Sequence, residues 1–267
     1  MFVNTRRGHA AALSFIGFLV FGLLLGAPQP SVSAQEATAS PMGGMDMGNC
    51  VSALGIGQAG DACLNVVHAS PDAPAVDVYV DGAKVLGDLA FGAASGWVAL
   101  PAGEHQVQVT AAGAEIETAV IDAAVTLEEG AAYEVAAIGL LAEIEPQVHQ
   151  VNLSAIGAED ESMARVRIVH ASPDAPAVDV AVKGGDVLVE NLAFPEASDY
   201  LSVPAASYDL EVRPTGTTDV ALDLPGVEFE AGMVYTIYAI GQTADDTLTV
   251  LPVVATTMAP EMATPSA

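Results

Sequence analysis

A segment of twelve residues occurs twice in this chain without a single change: Val67-His68-Ala69-Ser70-Pro71-Asp72-Ala73-Pro74-Ala75-Val76-Asp77-Val78 returns 102 positions later as Val169 to Val180. Weaker matches follow in the same order. Leu89-Ala90-Phe91 aligns with Leu192-Ala193-Phe194, Trp97 with Tyr200, Pro101 with Pro204, and Ala137-Ile138-Gly139 with Ala239-Ile240-Gly241. A match along nearly all of each half is the mark of a duplicated domain rather than a shared motif. Whatever fold one copy adopts, the other must adopt too.

Each copy reads as β structure. Leu64–His68, Val76–Val80, Trp97–Leu100, His105–Thr110, Ile116–Val125, Tyr133–Ile138 and Gln147–Val151 are short, rich in Val, Ile and Tyr, and bounded by Gly, Pro or Asp. Several alternate apolar and polar residues, as in Val76-Asp77-Val78-Tyr79-Val80 and Tyr208-Asp209-Leu210-Glu211-Val212. Alternation with period two, in about seven strands separated by turns, predicts a sandwich. The expected fold is all-β: two tandem Ig-like antiparallel β-sandwich domains after an N-terminal signal segment, with domains at 63–156 and 164–254. A short acidic linker (157–163) joins them, and a Thr/Pro/Met-rich tail (255–267) follows.

The N-terminus carries an export pattern. Arg6 and Arg7 precede an uncharged apolar stretch from Ala10 to Ala27, and Val32-Ser33-Ala34 offers a small-residue cleavage site. That order is a secretory signal covering residues 1–34. The alternative is an uncleaved anchor, since the apolar run is long enough to span a bilayer. Either places the rest of the chain outside the cytoplasm, extracellular or on the cell surface. Residues 35–62 form a Gly/Met-rich leader.

Charge narrows the partners. The chain has 34 acidic and 7 basic residues, a net charge of −27 that becomes about −29 once the two arginines of the signal are removed. Such a surface repels phosphate backbones and anionic headgroups. Nucleic acid is excluded as a partner, and contact with a membrane is confined to an uncleaved signal segment. Two cysteines, Cys50 and Cys63, are present. In an exported chain an isolated pair predicts a disulfide. With His68 they lack a recognised zinc spacing.

The repeated His-Ala-Ser-Pro-Asp-Ala-Pro-Ala-Val-Asp-Val segment resembles the signature of the DUF4397 family of exported bacterial and archaeal proteins. The resemblance covers most of each half and implies a β-sandwich of unassigned function, with no catalytic residue to carry over. Read residue by residue, the segment is a corner. Ser70-Pro71-Asp72 has turn chemistry, and Pro74 stops ordinary strand pairing. A hydrogen bond from His68 to Asp72 or Asp77, repeated by His170 with Asp174 or Asp179, would fix it.

Three functional readings compete with a corner. Ser70 and Ser172 with the histidines and aspartates could suggest a triad, but no Gly-x-Ser-x-Gly elbow is present. Asp72, Asp77 and Asp81 could suggest calcium, yet the second copy has Lys183 in place of Asp81, while Asp186 stands in place of Lys84. A swapped Asp/Lys pair predicts a surface salt bridge across the turn instead. The third reading is a ligand loop. Elsewhere, Met42, Met45 and Met47 could ligate Cu(I) through thioethers. Gly55-Ile56-Gly57-Gln58-Ala59-Gly60 precedes a strand, which a dinucleotide fingerprint does not. Trp97 and Tyr200 are read as core aromatics or a sugar platform, and Asn152-Leu153-Ser154 fits a glycosylation acceptor.

The sequence therefore predicts an exported, non-enzymatic binding or scaffold protein without a cofactor, whose partner is an extracellular protein, a glycan or another envelope component. Metal binding, through the methionines or the acidic corners, is the alternative.

Overall fold

In the computed structural model, residues 49–154 and 162–257 are described. The signal segment, the leader as far as residue 48 with Met42, Met45 and Met47, most of the linker and the last ten residues lie outside them. The first half contains a short helix α1 (Cys50–Leu54) and strands β1 (Asp61–His68), β2 (Val76–Val80), β3 (Ala83–Leu89), β4 (Ala93–Pro101), β5 (Gly103–Ala111), β6 (Ile121–Leu127), β7 (Ala132–Ile138) and β8 (Glu145–Val151). The second half repeats them as β9 (Met163–His170), β10 (Val178–Val182), β11 (Val187–Leu192), β12 (Leu201–Pro204), β13 (Ala206–Pro214), β14 (Leu222–Phe229), β15 (Met233–Ile240) and β16 (Thr249–Thr256).

Each half is a sandwich of two four-stranded sheets. The orders are β4-β1-β7-β8 over β3-β2-β5-β6, and β12-β9-β15-β16 over β11-β10-β13-β14. All neighbours are antiparallel except β1 with β7 and β9 with β15, which run parallel. The sandwich core of the first half gathers Leu64, Val66, Val78, Val107, Val125, Tyr133 and Val135 from alternate positions of both sheets. Two strand expectations change. Residues 116–118 form a 3₁₀ turn before β6, and Ala83–Leu89 is a strand. The alternation of β3 is hidden because its ladder with β2 shifts register twice.

The β1 strand is buried at every position after Asp61, and β7 is buried throughout. Period-two alternation fails here because both faces of the sheet are covered. Ala62, Leu64 and Val66 face their own sandwich. Val67, Ala136 and Ile138 face Val169, Tyr238 and Ile240 of the second half. The two halves thus pack sheet against sheet, giving four β layers in one body, rather than hanging as separate modules on a linker.

The contact is isologous, since the same positions enter from both sides. Val67 and Val169, Ala69 and Ala171, Ile138 and Ile240, and Phe91 and Phe194 share one apolar cluster. A second cluster, at the other end of the strands, joins Cys50, Cys63, Ala132 and Leu153 to Val234 and Ala255. Residues near the ends of β1 and β9 therefore meet each other, and residues near the beginnings of β1 and β7 meet the beginning of β15. The pseudo-two-fold axis runs along the strands. Trp97 Nε1 on β4 donates to the Val254 carbonyl on β16 at 3.2 Å, so each edge of one inner sheet lies across from the opposite edge of its partner.

At three related positions the repeats have diverged, and the replacements complement one another. Asn65 corresponds to Arg167, Glu134 to Thr236, and Ala136 to Tyr238. Arg167 Nη2 lies 3.3 Å from Glu134 Oε2 and donates to Thr236 Oγ1 at 3.2 Å, while Nη1 donates to the Gln150 carbonyl at 3.1 Å. The Tyr238 hydroxyl donates to the same Glu134 oxygen at 3.0 Å. Burial raises the Glu134 carboxyl pKa, with the Arg167 charge opposing it.

The Cys50–Cys63 disulfide is formed. It ties α1 to β1 at the end where Thr256 Oγ1 donates to the Ala53 carbonyl at 2.7 Å. Asn49 and Thr257, the outer limits of the described chain, are thus at that same end.

Candidate functional site

The repeated segment is the crossover from inner to outer sheet, joining β1 to β2 and β9 to β10. Its histidines are sealed in the corner. His68 is 0% exposed and His170 1%. His68 Nε2 is 2.9 Å from the Pro74 carbonyl oxygen, and its Nδ1 accepts from the Ser70 amide at 3.4 Å. His170 does the same with the Pro176 carbonyl at 3.1 Å and the Ser172 amide at 3.4 Å. This pattern requires a neutral ring with its proton on Nε2. Burial lowers both pKa values in agreement with that. The edges of Phe91 and Phe194 pack against the rings.

The expected histidine–aspartate bonds are therefore corrected: backbone groups within the loop occupy the rings instead. The aspartates staple neighbouring segments. Asp72 Oδ1 accepts from the Leu141 amide at 2.7 Å, and Asp174 accepts from the amides of Thr243 and Ala244 at 2.8 and 2.9 Å. Asp77 is buried and takes the Asp88 amide at 3.0 Å, the Gly113 amide at 2.8 Å and Lys84 Nζ at 2.5 Å. The Lys84 hydrogen bond, followed by the two amides, pulls its pKa down to about 2. Asp179 repeats the amide bonds with Asn191 at 2.8 Å and Gly216 at 3.0 Å. Asp88 and Asn191 are held at φ of 55° and 53°, a left-handed conformation that asparagine and aspartate tolerate.

Nor does the predicted salt bridge across the β2–β3 turn form. Lys84 turns to Asp77, Asp81 to His105 at 2.7 Å, and Lys183 to Asp223 at 3.0 Å. The calcium constellation fails for the same reason, because Asp72, Asp77 and Asp81 serve three different sets of partners. Among the described residues no group of three or more His, Cys, Asp or Glu side chains could hold a metal ion. Ser70 and Ser172 are 0% and 1% exposed. Ser172 Oγ donates to the Gly241 carbonyl at 2.8 Å, and Ser172 with His170 lines a small hollow in the second half. Trp97 and Tyr200 are half-buried at the contact between halves, with the Arg167 guanidinium 4.8 Å from the Tyr200 ring centre. Asn152 Oδ1 accepts from the Ser154 amide and hydroxyl at 3.0 and 2.6 Å.

Pattern reading missed what the corner creates around itself. In the first half Ala73, Pro74 and Val76 meet Ala111, Thr118 and Val120 from the β5–β6 connection, with Leu141 and Ile144 from the β7–β8 loop. They enclose an apolar hollow of about 260 Å³. Val120 is 45% exposed and Leu141 39%. Ala175, Pro176, Val178, Pro214, Ala221 and Leu222 line its counterpart in the second half, which is constricted to about 70 Å³. Because the pseudo-axis follows the strands, both hollows open at one end of the molecule, opposite Asn49 and Thr257. Between them a cleft of about 280 Å³ is lined by Gly139, Glu143 and Glu145 of the first half and Pro173 and Phe194 of the second. Neither surface is visible in a linear motif, since each draws on three connections far apart in sequence.

Residues 62–162 and 164–264 match DUF4397, described as a domain of unknown function. No curated protein matches the chain. Among solved structures, the TIE protein of Bacillus anthracis is similar at 13% identity and a TM-score of 0.22, over 67% of this chain and 34% of its own. The chain thus spans about a third of that protein's length. CBMbc of family CBM26 from Eubacterium rectale Amy13K, solved in complex with maltoheptaose, is similar at 13% identity and a TM-score of 0.21, over 71% of this chain and 95% of its own.

Proposed function

The chain belongs to the DUF4397 family, in two tandem copies, and from its geometry we propose that it is an exported, non-enzymatic binding module of the cell surface. Its contact surface is the end where both signature corners lie. One observation carries the reading: the duplication is folded into a single body that puts two equivalent loop sets side by side, away from Asn49 and Thr257. The histidines, serines and aspartates of the signature act as scaffold, holding the β5–β6 and β7–β8 connections that present the surface. The partner is an extracellular protein, a glycan or another envelope component.

Binding of the labelled, purified chain to isolated cell envelopes tests this. Val120→Ser and Leu141→Ser at the exposed rim should each reduce binding, whereas Val85→Ser, equally exposed on the outer-sheet edge strand β3, should leave it unchanged. Equal loss from all three, or no binding by the parent chain, would overturn the proposal.

A further inference from the structure

The apolar hollow of the first half carries a rim of one charge. In sequence Asp72 adjoins Ala73, Glu117 adjoins Thr118, and Glu143 adjoins Ile144; Glu115 stands on the β5–β6 connection, and Glu145, the first residue of β8, lines the neighbouring cleft together with Glu143. All five carboxylates are exposed. None of them forms an ion pair, because the five basic residues in the described chain are engaged elsewhere. Lys84 holds Asp77, Lys183 holds Asp223, Arg167 holds Glu134 and Arg213 holds Glu211. Arg165 donates to the Asn152 and Ser154 carbonyls at 2.8 and 3.3 Å.

We infer that this hollow docks a cationic segment of a partner protein, which inserts an aliphatic side chain between Pro74, Val120, Leu141 and Ile144 and lays flanking Lys or Arg residues on the acidic rim. The inference rests on the binding-module reading and names the partner's chemistry. Size fits one or two aliphatic side chains, since about 260 Å³ falls below the roughly 300–1,000 Å³ of sites that enclose a drug-sized ligand. Charge selects the flanks. Unscreened carboxylates around an apolar floor attract cations from several ångströms away and penalise acidic competitors. A second copy of this chain is a poor occupant, because 34 acidic residues against 7 basic ones make the copies repel. The narrower hollow of the second half has Thr243 where the first has Leu141, so the first half supplies the anchor.

Fluorescence anisotropy with two labelled heptapeptides of pattern Gly-Lys-Leu-Lys-Leu-Lys-Gly and Gly-Glu-Leu-Glu-Leu-Glu-Gly tests this on the full chain. The basic peptide should bind and the acidic one should not. Leu141→Ser should weaken the basic peptide about tenfold, the scale of one lost buried apolar contact. Glu117→Lys with Glu143→Lys should weaken it at least as much, and the effect should shrink in high salt. Binding that survives Leu141→Ser would mean unspecific attraction to a polyanion and would overturn the inference, as would no binding. If the basic peptide fails while envelope binding still depends on Val120 and Leu141, the docking chemistry is wrong and the binding-module reading stands.

Discussion

His68 and His170 were the residues most easily mistaken for chemistry, and their surroundings explain why they serve structure. A neutral ring placed between a carbonyl and an amide satisfies two backbone groups that the crossover would otherwise bury unpaired. Replacing His68 with Ala would orphan the Pro74 carbonyl and the Ser70 amide and leave a cavity, at a cost of about 2–4 kcal/mol in urea unfolding. The same burial sets a pH dependence. His68, His170 and His149 have pKa values below the unfolded value near 6.5, that of His149 at about 4. The unfolded chain binds those protons first, so stability falls as pH drops below about 6.5. His105, raised by its bond to Asp81, and Glu134, raised by burial, work in the opposite sense. Urea midpoints should therefore decline from pH 7 to pH 5, and the decline should flatten in His68→Gln with His170→Gln. Asp77 acts lower on the scale. Its stabilisation is complete above about 4 and is lost as pH falls towards 2, so Asp77→Asn should be less stable at neutral pH and flatter in acid.

At the level of elements, the signature was legible as a corner because turn chemistry is local: Pro71, Asp72 and Pro74 announce a break wherever they stand. The partners of its side chains were not legible. Asp72 reaches Leu141 and Asp77 reaches Gly113, and such distances in sequence are set by which strands become neighbours. Gly139 shows the same limit. Its φ is 84°, and an added Cβ would lie 3.0 Å from the Glu143 carbonyl oxygen, so the β7–β8 loop that brings Leu141 and Ile144 to the hollow closes in this form over glycine. Strand β3 went unread because its register shifts broke the alternation. The disulfide was readable from cysteine usage alone. It closes a separation of 13 residues, and removing it in Cys50→Ser with Cys63→Ser should cost about 3 kcal/mol, measured by thermal or urea unfolding.

The arrangement of the whole molecule was the part least visible in sequence. Duplication was plain, but a linker between repeats reads the same whether the domains swing freely or pack. The largely apolar, non-alternating character of β1 and β7, interrupted only at the polar ends of β1 and at Asn65 and Glu134, was the available signal, since a strand covered on both faces loses its alternation. Complementary divergence fixes the packing: Glu134 faces Arg167 only because the two halves no longer match there. Glu134→Ala should destabilise the protein by about 3–5 kcal/mol by leaving a buried guanidinium unpaired, whereas Glu134→Leu with Arg167→Met should recover much of that loss. A shared contact surface requires both loop sets to lie at one end of the molecule. Spin labels at Ala142 and Asp245, exposed on the β7–β8 and β15–β16 loops, measure that directly by electron–electron dipolar spectroscopy. Strand and sheet spacings place the two loops roughly 20–25 Å apart, so one narrow distribution at short distance is expected. A broad distribution, or one centred beyond roughly 35 Å as loops at opposite ends of the strands would give, would contradict the shared surface.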